Sequence, residues 1–359
     1  MKRIILALGL LTILPSLMYE GSAFAQNRKV RTSGNPILPE FHADPEVMFS
    51  HKTNRFYIYS TTDGVPGWGG YYFTAFSSKD FLDWHHDGIV LDLGTNQVPW
   101  AKGNAWAPAI MEKRGDDGSY TYYLYYSGHD TKRNRKSIGV AMADTPIGPF
   151  YDLGEPLIYT RPEHVDGGQQ IDVDVFNDPV SGKNFIYWGN GYMAVAELGQ
   201  DMVSIDTTTI KVITPEGGTL QDFRYREAPY VFYRKGIYYF LWSVDDTGSP
   251  NYHVAYGTSS TPVGPIIVAP EPVILQQDPK NEIYGTAHNS VIQVPGRDDW
   301  YIVYHRINKN YIDKKMGPGY HREVCLDKLE FDKDGWIKPV TPTTTGVPGV
   351  TVHLPRKNR

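Results

Sequence analysis

The sequence of 359 residues predicts an all-β fold, a five-bladed β-propeller with four antiparallel strands per blade. Three observations predict it. A hairpin pattern occurs five times: an opening polar or aromatic residue, an apolar run, a polar turn, and a return through aromatic and β-branched side chains. Each copy is followed by a third and a fourth strand pattern. The units recur about every 60 residues, somewhat longer than the ~40 to 50 of familiar propeller repeats but of the same kind.

Taken in order, residues 1–25 read as a signal peptide. Lys2 and Arg3 form a charged start, residues 4–18 an apolar segment shorter than the ~20 residues that span a bilayer, and Ala23-Phe24-Ala25 a small-x-small cleavage site. The mature chain is expected to be exported, periplasmic or secreted. Residues 26–34 are polar and expected to be a flexible leader, and residues 35–359 a single five-bladed propeller domain.

The first unit opens at Asp44-Pro45-Glu46-Val47, returns over 56–60, and continues through 72–76 and 89–93. The second opens at Trp106-Ala107-Pro108, returns over 122–127, and continues through 138–142 and 156–159. The third opens at Asp172-Val173-Asp174 and returns over 185–188, with further strands over 192–196 and 209–213. The fourth is the clearest: Glu227-Ala228-Pro229-Tyr230 runs to a turn at Arg234-Lys235-Gly236, returns over 237–243, and adds 252–257 and 272–275. The fifth opens at His288-Asn289, returns over 300–305, and adds 323–329 and 337–340. A Pro- and Thr-rich tail closes the chain.

Aligned on their first strands, the units place Asp44, Trp106, Asp172, Glu227 and His288 at one equivalent position, three residues ahead of Val47, Ala109, Val175, Tyr230 and Val291. The first strand of every propeller blade lines the central channel, so equivalent positions form a ring about the axis. Three carboxylates, an indole and an imidazole should therefore converge. A lone Asp ahead of a strand is ordinarily a turn or cap residue, which accounts for one such position but not for five in register. Asp172 and Asp174 share a strand face; the repeat register selects Asp172 for the ring and matches Asp174 to Glu46 as a polar blade residue. Trp106 offers a flat apolar face to a sugar, or a plug for the channel. Trp68, in the Gly-rich loop 61–70, stands at the pocket rim or anchors its own loop. Tyr284, four residues ahead of His288, is expected to contact substrate. Arg306, ending an aromatic strand on the pocket face, is expected to reach a sugar hydroxyl or a ring carboxylate.

Composition bounds the alternatives. A net charge of -5 with no basic run leaves no electrostatic footprint for nucleic acid. Neither nucleic acid nor a membrane is expected as a partner. Cys325 is the only cysteine, so no intramolecular disulfide forms, and it reads as a small buried apolar residue.

Two carboxyl groups across a pocket with an aromatic platform are the minimum equipment for glycoside hydrolysis. One is protonated to assist the leaving oxygen; the other is ionised to activate water or attack the anomeric carbon. A third acid in the same site raises the pKa of whichever carboxyl is worst solvated. At these residues the chain resembles glycoside hydrolase family 43, whose members are five-bladed propellers: Ala43-Asp44-Pro45, Trp106-Ala107-Pro108, Ile171-Asp172, Glu227-Ala228-Pro229, Ala287-His288 and Tyr304-His305-Arg306 follow the family's motifs in order and spacing. The resemblance implies that Asp44 is the general base, Glu227 the general acid, and Asp172 the acid that orients Glu227 and raises its pKa, with inversion at the anomeric carbon. It implies no cofactor for the chemistry and a structural calcium on the axis near His288, ligated mostly by water. Val173-Asp174 stands where the family commonly has Pro-Ser, and Ala228 where it commonly has Gly. The expected activity is exo-acting release of α-L-arabinofuranose or β-D-xylose from plant-derived oligosaccharide or polysaccharide (xylan, arabinan) by a monomer. An exo-galactanase, an endo-arabinanase and a non-catalytic sugar-binding propeller are the alternatives.

Overall fold

The computed structural model describes residues 30–312 and 319–353; the expected signal segment lies outside them. The chain forms the five-bladed propeller that its repeats predict. Blade one is β1 (His42–Ser50), β2 (Arg55–Thr62), β3 (Tyr72–Ser78) and β4 (His85–Asp92), in that order across the sheet. Blade two is β5 (Trp106–Arg114), β6 (Tyr120–Asp130), β7 (Arg135–Ala143) and β8 (Tyr151–Asp152). Blade three is β9 (Asp174–Asn177), β10 (Asn184–Trp188), β11 (Ala194–Leu198) and β12 (Ile205–Val212). Blade four is β13 (Tyr225–Arg234), β14 (Ile237–Val244), β15 (His253–Ser259) and β16 (Ile267–Leu275). Blade five has β17 (Tyr284–Gln293), β18 (Trp300–Ile307) and β19 (Arg322–Leu329).

The aromatic return strands explain the packing. Tyr59, Phe73, Trp100 and Tyr126 fill the space between blades one and two, and Phe49, Phe56, Phe81 and Tyr301 that between blades five and one. Flat rings suit the shallow wedge between twisted sheets, and each fully buried ring contributes about 1.5–3 kcal/mol. Cys325 is fully buried, as expected.

Two outer strands differ from expectation. In blade two the fourth strand is β8, five residues ahead of the predicted 156–159, where Ile158 makes only a single bridge to Ile138. In blade five, 337–340 forms no ladder with β19; Phe331 bridges Ile337 and Val340 N donates to Ile274 O of blade four. Pro339 supplies no ladder donor. The place beside β19 goes to the start of the chain. Ile37 N donates to Val324 O, and the Asn35 side chain straddles Leu326, accepting from its N–H and donating to its carbonyl.

Residues 32–34, expected in a flexible leader, belong to this closure as well. Ser33 N donates to Val347 O at 2.9 Å and Gly34 N to Thr345 O at 3.0 Å, so the folded unit begins at Arg31. Asp327 is the hub: its carboxylate accepts from Tyr304 Oη at 2.7 Å, Thr343 Oγ1 at 2.6 Å and Asn35 Nδ2 at 3.2 Å. Asp327→Ala leaves those donors without a partner and is expected to cost about 2–4 kcal/mol. Urea unfolding should report that loss, with activity unchanged well below the transition.

Candidate active site

The five ring residues owe their inward aim to a repeated backbone irregularity. In the first strands of blades one, two, four and five the register slips by a β-bulge at the ring position, and Asp172 precedes the start of β9. In blades one, three and five the ring residue itself adopts left-handed φ, Asp44 (+50°), Asp172 (+59°) and His288 (+47°), whereas in blades two and four the residue after it does, Ala107 (+43°) after Trp106 and Ala228 (+56°) after Glu227. Non-glycine residues rarely adopt that conformation, and bulges of this kind re-aim side chains beside functional sites. Gly, which adopts this conformation without a Cβ penalty, would be at home at position 228.

Each of those five amides is accepted by a side chain of the preceding blade. Thr61 Oγ1 takes Ala107 N–H at 2.9 Å, Ser127 Oγ takes Asp172 N–H at 3.2 Å, and Ser243 Oγ takes His288 N–H at 3.1 Å. His305 Nδ1 takes Asp44 N–H at 3.2 Å. Thr61, Ser127, Ser243 and His305 all stand near the ends of second strands. In blade three that position is Gly189, which has no side chain, and Asp172 Oδ2 itself accepts Ala228 N–H at 3.2 Å. A girdle of interblade hydrogen bonds thus holds the ring residues against their backbone strain.

Asp44 and Glu227 have opposite electrostatic settings. Burial works to raise the Asp44 pKa, but the Arg322 guanidinium, at 2.9 Å from Oδ1, and His288 Nδ1, at 3.1 Å, outweigh it and hold the carboxyl well below its usual range. Thr61 Oγ1 donates to Oδ2 at 2.7 Å. Arg322 is itself fixed by buried Asp63, which accepts from its Nε at 2.9 Å and Nη2 at 3.2 Å. Glu227 is lifted, first by burial and further by the Asp44 charge, against the lowering effects of Tyr252, Arg226 and Asn190. Its two oxygens accept from Tyr252 Oη and Asn190 Nδ2. Asp172 is lifted well above its usual range by burial, then by the charges of Glu227 and Asp44. Repulsion between Asp172 and Glu227 is mutual, so proton retention belongs to the pair.

Asp44, Trp68, Trp106, Asp172, Glu227 and His288 line one cavity of about 250 Å³. Trp106 Nε1 donates to Trp68 O at 2.9 Å, so the loop tryptophan both lines the cavity and anchors the platform. Two expected contacts do not reach it. Tyr284 starts β17 opposite Ile307, outside the cavity lining. Arg306 pairs with Glu323 at 3.1 Å and donates to Asn35 O at 3.2 Å. Side chains alternate along a strand: Arg306 and its cross-strand partner Glu323 share one face, whereas Arg322, one residue earlier on β19, takes the other and reaches Asp44. Arg322, Asp63, Asn190, Tyr252, Gln169 and the rim residues Arg226, Asp246 and Thr247 were not singled out by the repeat alignment, which registers first strands only.

The sequence matches the profile of glycosyl hydrolases family 43 over residues 33–337. The chain belongs to this family. A β-D-galactofuranosidase from Aspergillus niger is 35% identical, over 95% of this chain and 96% of that protein. An arabinoxylan arabinofuranohydrolase from Bacillus subtilis is 26% identical, over 96% of this chain and 72% of its own length. The crystal structure of a thermostable family-43 glycoside hydrolase superposes with a TM-score of 0.73 at 27% identity, covering 89% of this chain and 99% of that one. Membership makes this chain a glycosidase on the family 43 propeller.

The calcium implied at His288 finds little to hold it. Among the described residues no group of three or more His, Cys, Asp or Glu side chains is arranged to bind a metal. Calcium takes 6–8 oxygen ligands, whereas His288 offers one nitrogen, Asp44 is already engaged by Arg322, His288 and Thr61, and the guanidinium opposes a divalent cation. A calcium ligated mostly by water would draw on His288 among these residues, with the Arg322 guanidinium opposing it.

Below the ring, Glu46 and Asp174 correct the expectation of polar blade residues: both line a cavity of about 720 Å³ on the far side of the channel. Asp174 accepts Val231 N–H at 2.7 Å, and burial lifts its pKa to about 7. Burial and the Asp174 charge lift Glu46 well above its usual range. A carboxyl with a raised folded-state pKa stabilises the fold below the unfolded value near 4, and that contribution is lost as pH rises through about 7. Glu46→Gln is therefore expected to raise the melting temperature more at pH 8 than at pH 5, read by calorimetry at both.

Proposed function

We propose that this family 43 enzyme is an inverting, exo-acting furanosidase that removes terminal α-L-arabinofuranose, or its homologue β-D-galactofuranose, from a polysaccharide or oligosaccharide. The observation that carries the reading is the opposition of Asp44, whose pKa Arg322 holds well below its usual range, and Glu227, whose pKa burial raises, in one cavity sized for a single sugar. Asp44 takes a proton from water as it attacks the anomeric carbon, and Glu227 gives its proton to the departing oxygen on the opposite face. Asp172, bonded to the amide beside Glu227, orients the acid and shares its proton economy. Trp106 carries the sugar's apolar face.

Closure of the cavity supports exo action. Loop 61–70 and the segment before β19 meet where Gly64 N donates to Tyr320 O at 2.6 Å, and the Trp68 and Tyr320 rings pack edge to face at 5.8 Å. The choice of sugar follows from the two relatives: β-D-galactofuranose carries the 1,2-trans ring of α-L-arabinofuranose with one more exocyclic carbon. The segment 1–25 supports action outside the cytoplasm.

The test is hydrolysis of 4-nitrophenyl α-L-arabinofuranoside, β-D-galactofuranoside and β-D-xyloside, beside Asp44→Asn, with the product anomer followed by proton NMR. Release from the furanosides with inversion, abolished in the variant, is the expected result. Preference for the xyloside, or retention of configuration, would overturn it.

A further inference from the structure

We infer that Lys136, which lies outside the catalytic cavity, is a positioning residue for both of its tryptophans and so sets the affinity for the terminal sugar. The inference rests on the reading above in taking Trp106 as the platform for the sugar's apolar face. Lys136 belongs to β7 of blade two, opposite His129 on β6. Its half-buried side chain places the ammonium 4.5 Å from the centre of the Trp106 ring and donates to Asn104 Oδ1. Trp106 lines the cavity and Lys136 does not, so the cation backs the indole from outside and leaves the inner face to the sugar.

One carbonyl ties the two tryptophans together. Trp68 O accepts from Trp106 Nε1 at 2.9 Å and from Asn104 Nδ2 at 2.8 Å, which uses both of its lone pairs. Trp68 needs that support, since its φ of +63° is rare for a bulky residue. Asn104 supplies it only while its amide nitrogen faces Trp68. The ammonium enforces that orientation, because a reversed amide would set its NH2 against the cation and its oxygen against the Trp68 carbonyl. A hydrogen bond from a charged donor is about twice as strong as a neutral one, so Lys136 decides which way the amide lies. Burial lowers its pKa to about 8, which leaves it charged at neutral pH.

The effect falls on binding and spares the bond-breaking step. Asp44 is held by Arg322, Thr61 and His288, and Glu227 by Tyr252 and Asn190. Neither set includes Lys136 or Asn104. Arg322 lies 5.0 Å from the centre of the Trp68 ring, but Asp63 fixes it independently. A loosened Trp106 therefore weakens the hold on the sugar while acid and base keep their places.

The experiment measures kcat and KM of wild type, Lys136→Met, Asn104→Ala, Trp106→Ala and Lys136→Met/Trp106→Ala. The substrate is whichever of the three 4-nitrophenyl glycosides wild type hydrolyses fastest, so the choice of sugar does not enter. Lys136→Met keeps the stem and removes the charge; the expected result is a KM about 10-fold higher with kcat within about twofold of wild type. Asn104→Ala should show the same split. In the Trp106→Ala background Lys136→Met should raise KM no further, because both act through one ring. An unaltered KM in Lys136→Met, a loss confined to kcat, or additive losses in the double variant would overturn the inference. If Trp106→Ala itself leaves KM unaltered, or wild type hydrolyses none of the three, the reading above fails and the inference goes with it, an outcome distinct from an inert Lys136 beside an effective Trp106.

Discussion

Glu227→Gln is expected to lower kcat/KM on an unactivated furanosyl oligosaccharide by about 10²–10⁴, with a much smaller loss on the 4-nitrophenyl furanoside. An alkoxide leaves poorly unless it is protonated in the transition state, whereas nitrophenolate departs without help, so the ratio of the two losses isolates the acid's contribution. The substitution keeps the shape of a side chain that sits between Tyr252 Oη and Asn190 Nδ2. It also removes a carboxyl that burial already drives toward its neutral form, so stability should not fall. Because the Glu227 pKa is raised, protonated acid persists toward neutral pH, and the basic limb of the wild-type profile reports its loss. In the variant that limb should disappear from the activated substrate. Equal losses on the two substrates, or an unaltered basic limb, would assign the acid elsewhere.

What the sequence made legible and what it hid divide along one physical line. Asp44, Trp106, Asp172, Glu227 and His288 could be aligned to within one residue because a propeller repeats its backbone and its bulge; the left-handed residue itself falls one position later in blades two and four, at Ala107 and Ala228. Arg322 was hidden because strand alternation, not repeat position, decides whether Arg306 or Arg322 faces the channel. Asp63 is recognisable only through its contact with an arginine far along the chain. The girdle uses Thr, Ser and His interchangeably, since an amide needs only an acceptor, and where Gly189 supplies none, Asp172 fills the place. Outermost strands were the least legible elements. Exposed on one side, they tolerate many residue types, and blade five takes its outer partner from the start of the chain instead of from 337–340.

Arg322→Met should be the most damaging substitution outside the three acids, with two signatures of different kinds. The guanidinium is 4% exposed at its side chain and compensates Asp44 and Asp63 together, so its loss leaves two buried carboxylates without their cation, a change that costs about 3–5 kcal/mol. In wild type the depressed Asp44 pKa contributes stability that is fully present above the unfolded value near 3.9 and lost as pH falls through the lower folded value. Without Arg322, burial dominates and the folded pKa rises above the unfolded one. The slope then reverses: the variant is least impaired in acid, where Asp44 and Asp63 are protonated, and most impaired at neutral pH. Urea unfolding at pH 4.5 and 7.5 measures that reversal. The second signature is kinetic, because Asp44 must be ionised to take a proton from water, so the acid limb of kcat/KM should move toward neutral pH. Asp63→Asn separates the two effects: it keeps the Arg322 charge beside Asp44 while removing half of its anchor, so stability should fall with little movement of the acid limb. If Arg322→Met folds and its acid limb stays in place, Arg322 does not set the protonation state of Asp44, and the ionised base must owe its state to His288 and the girdle alone.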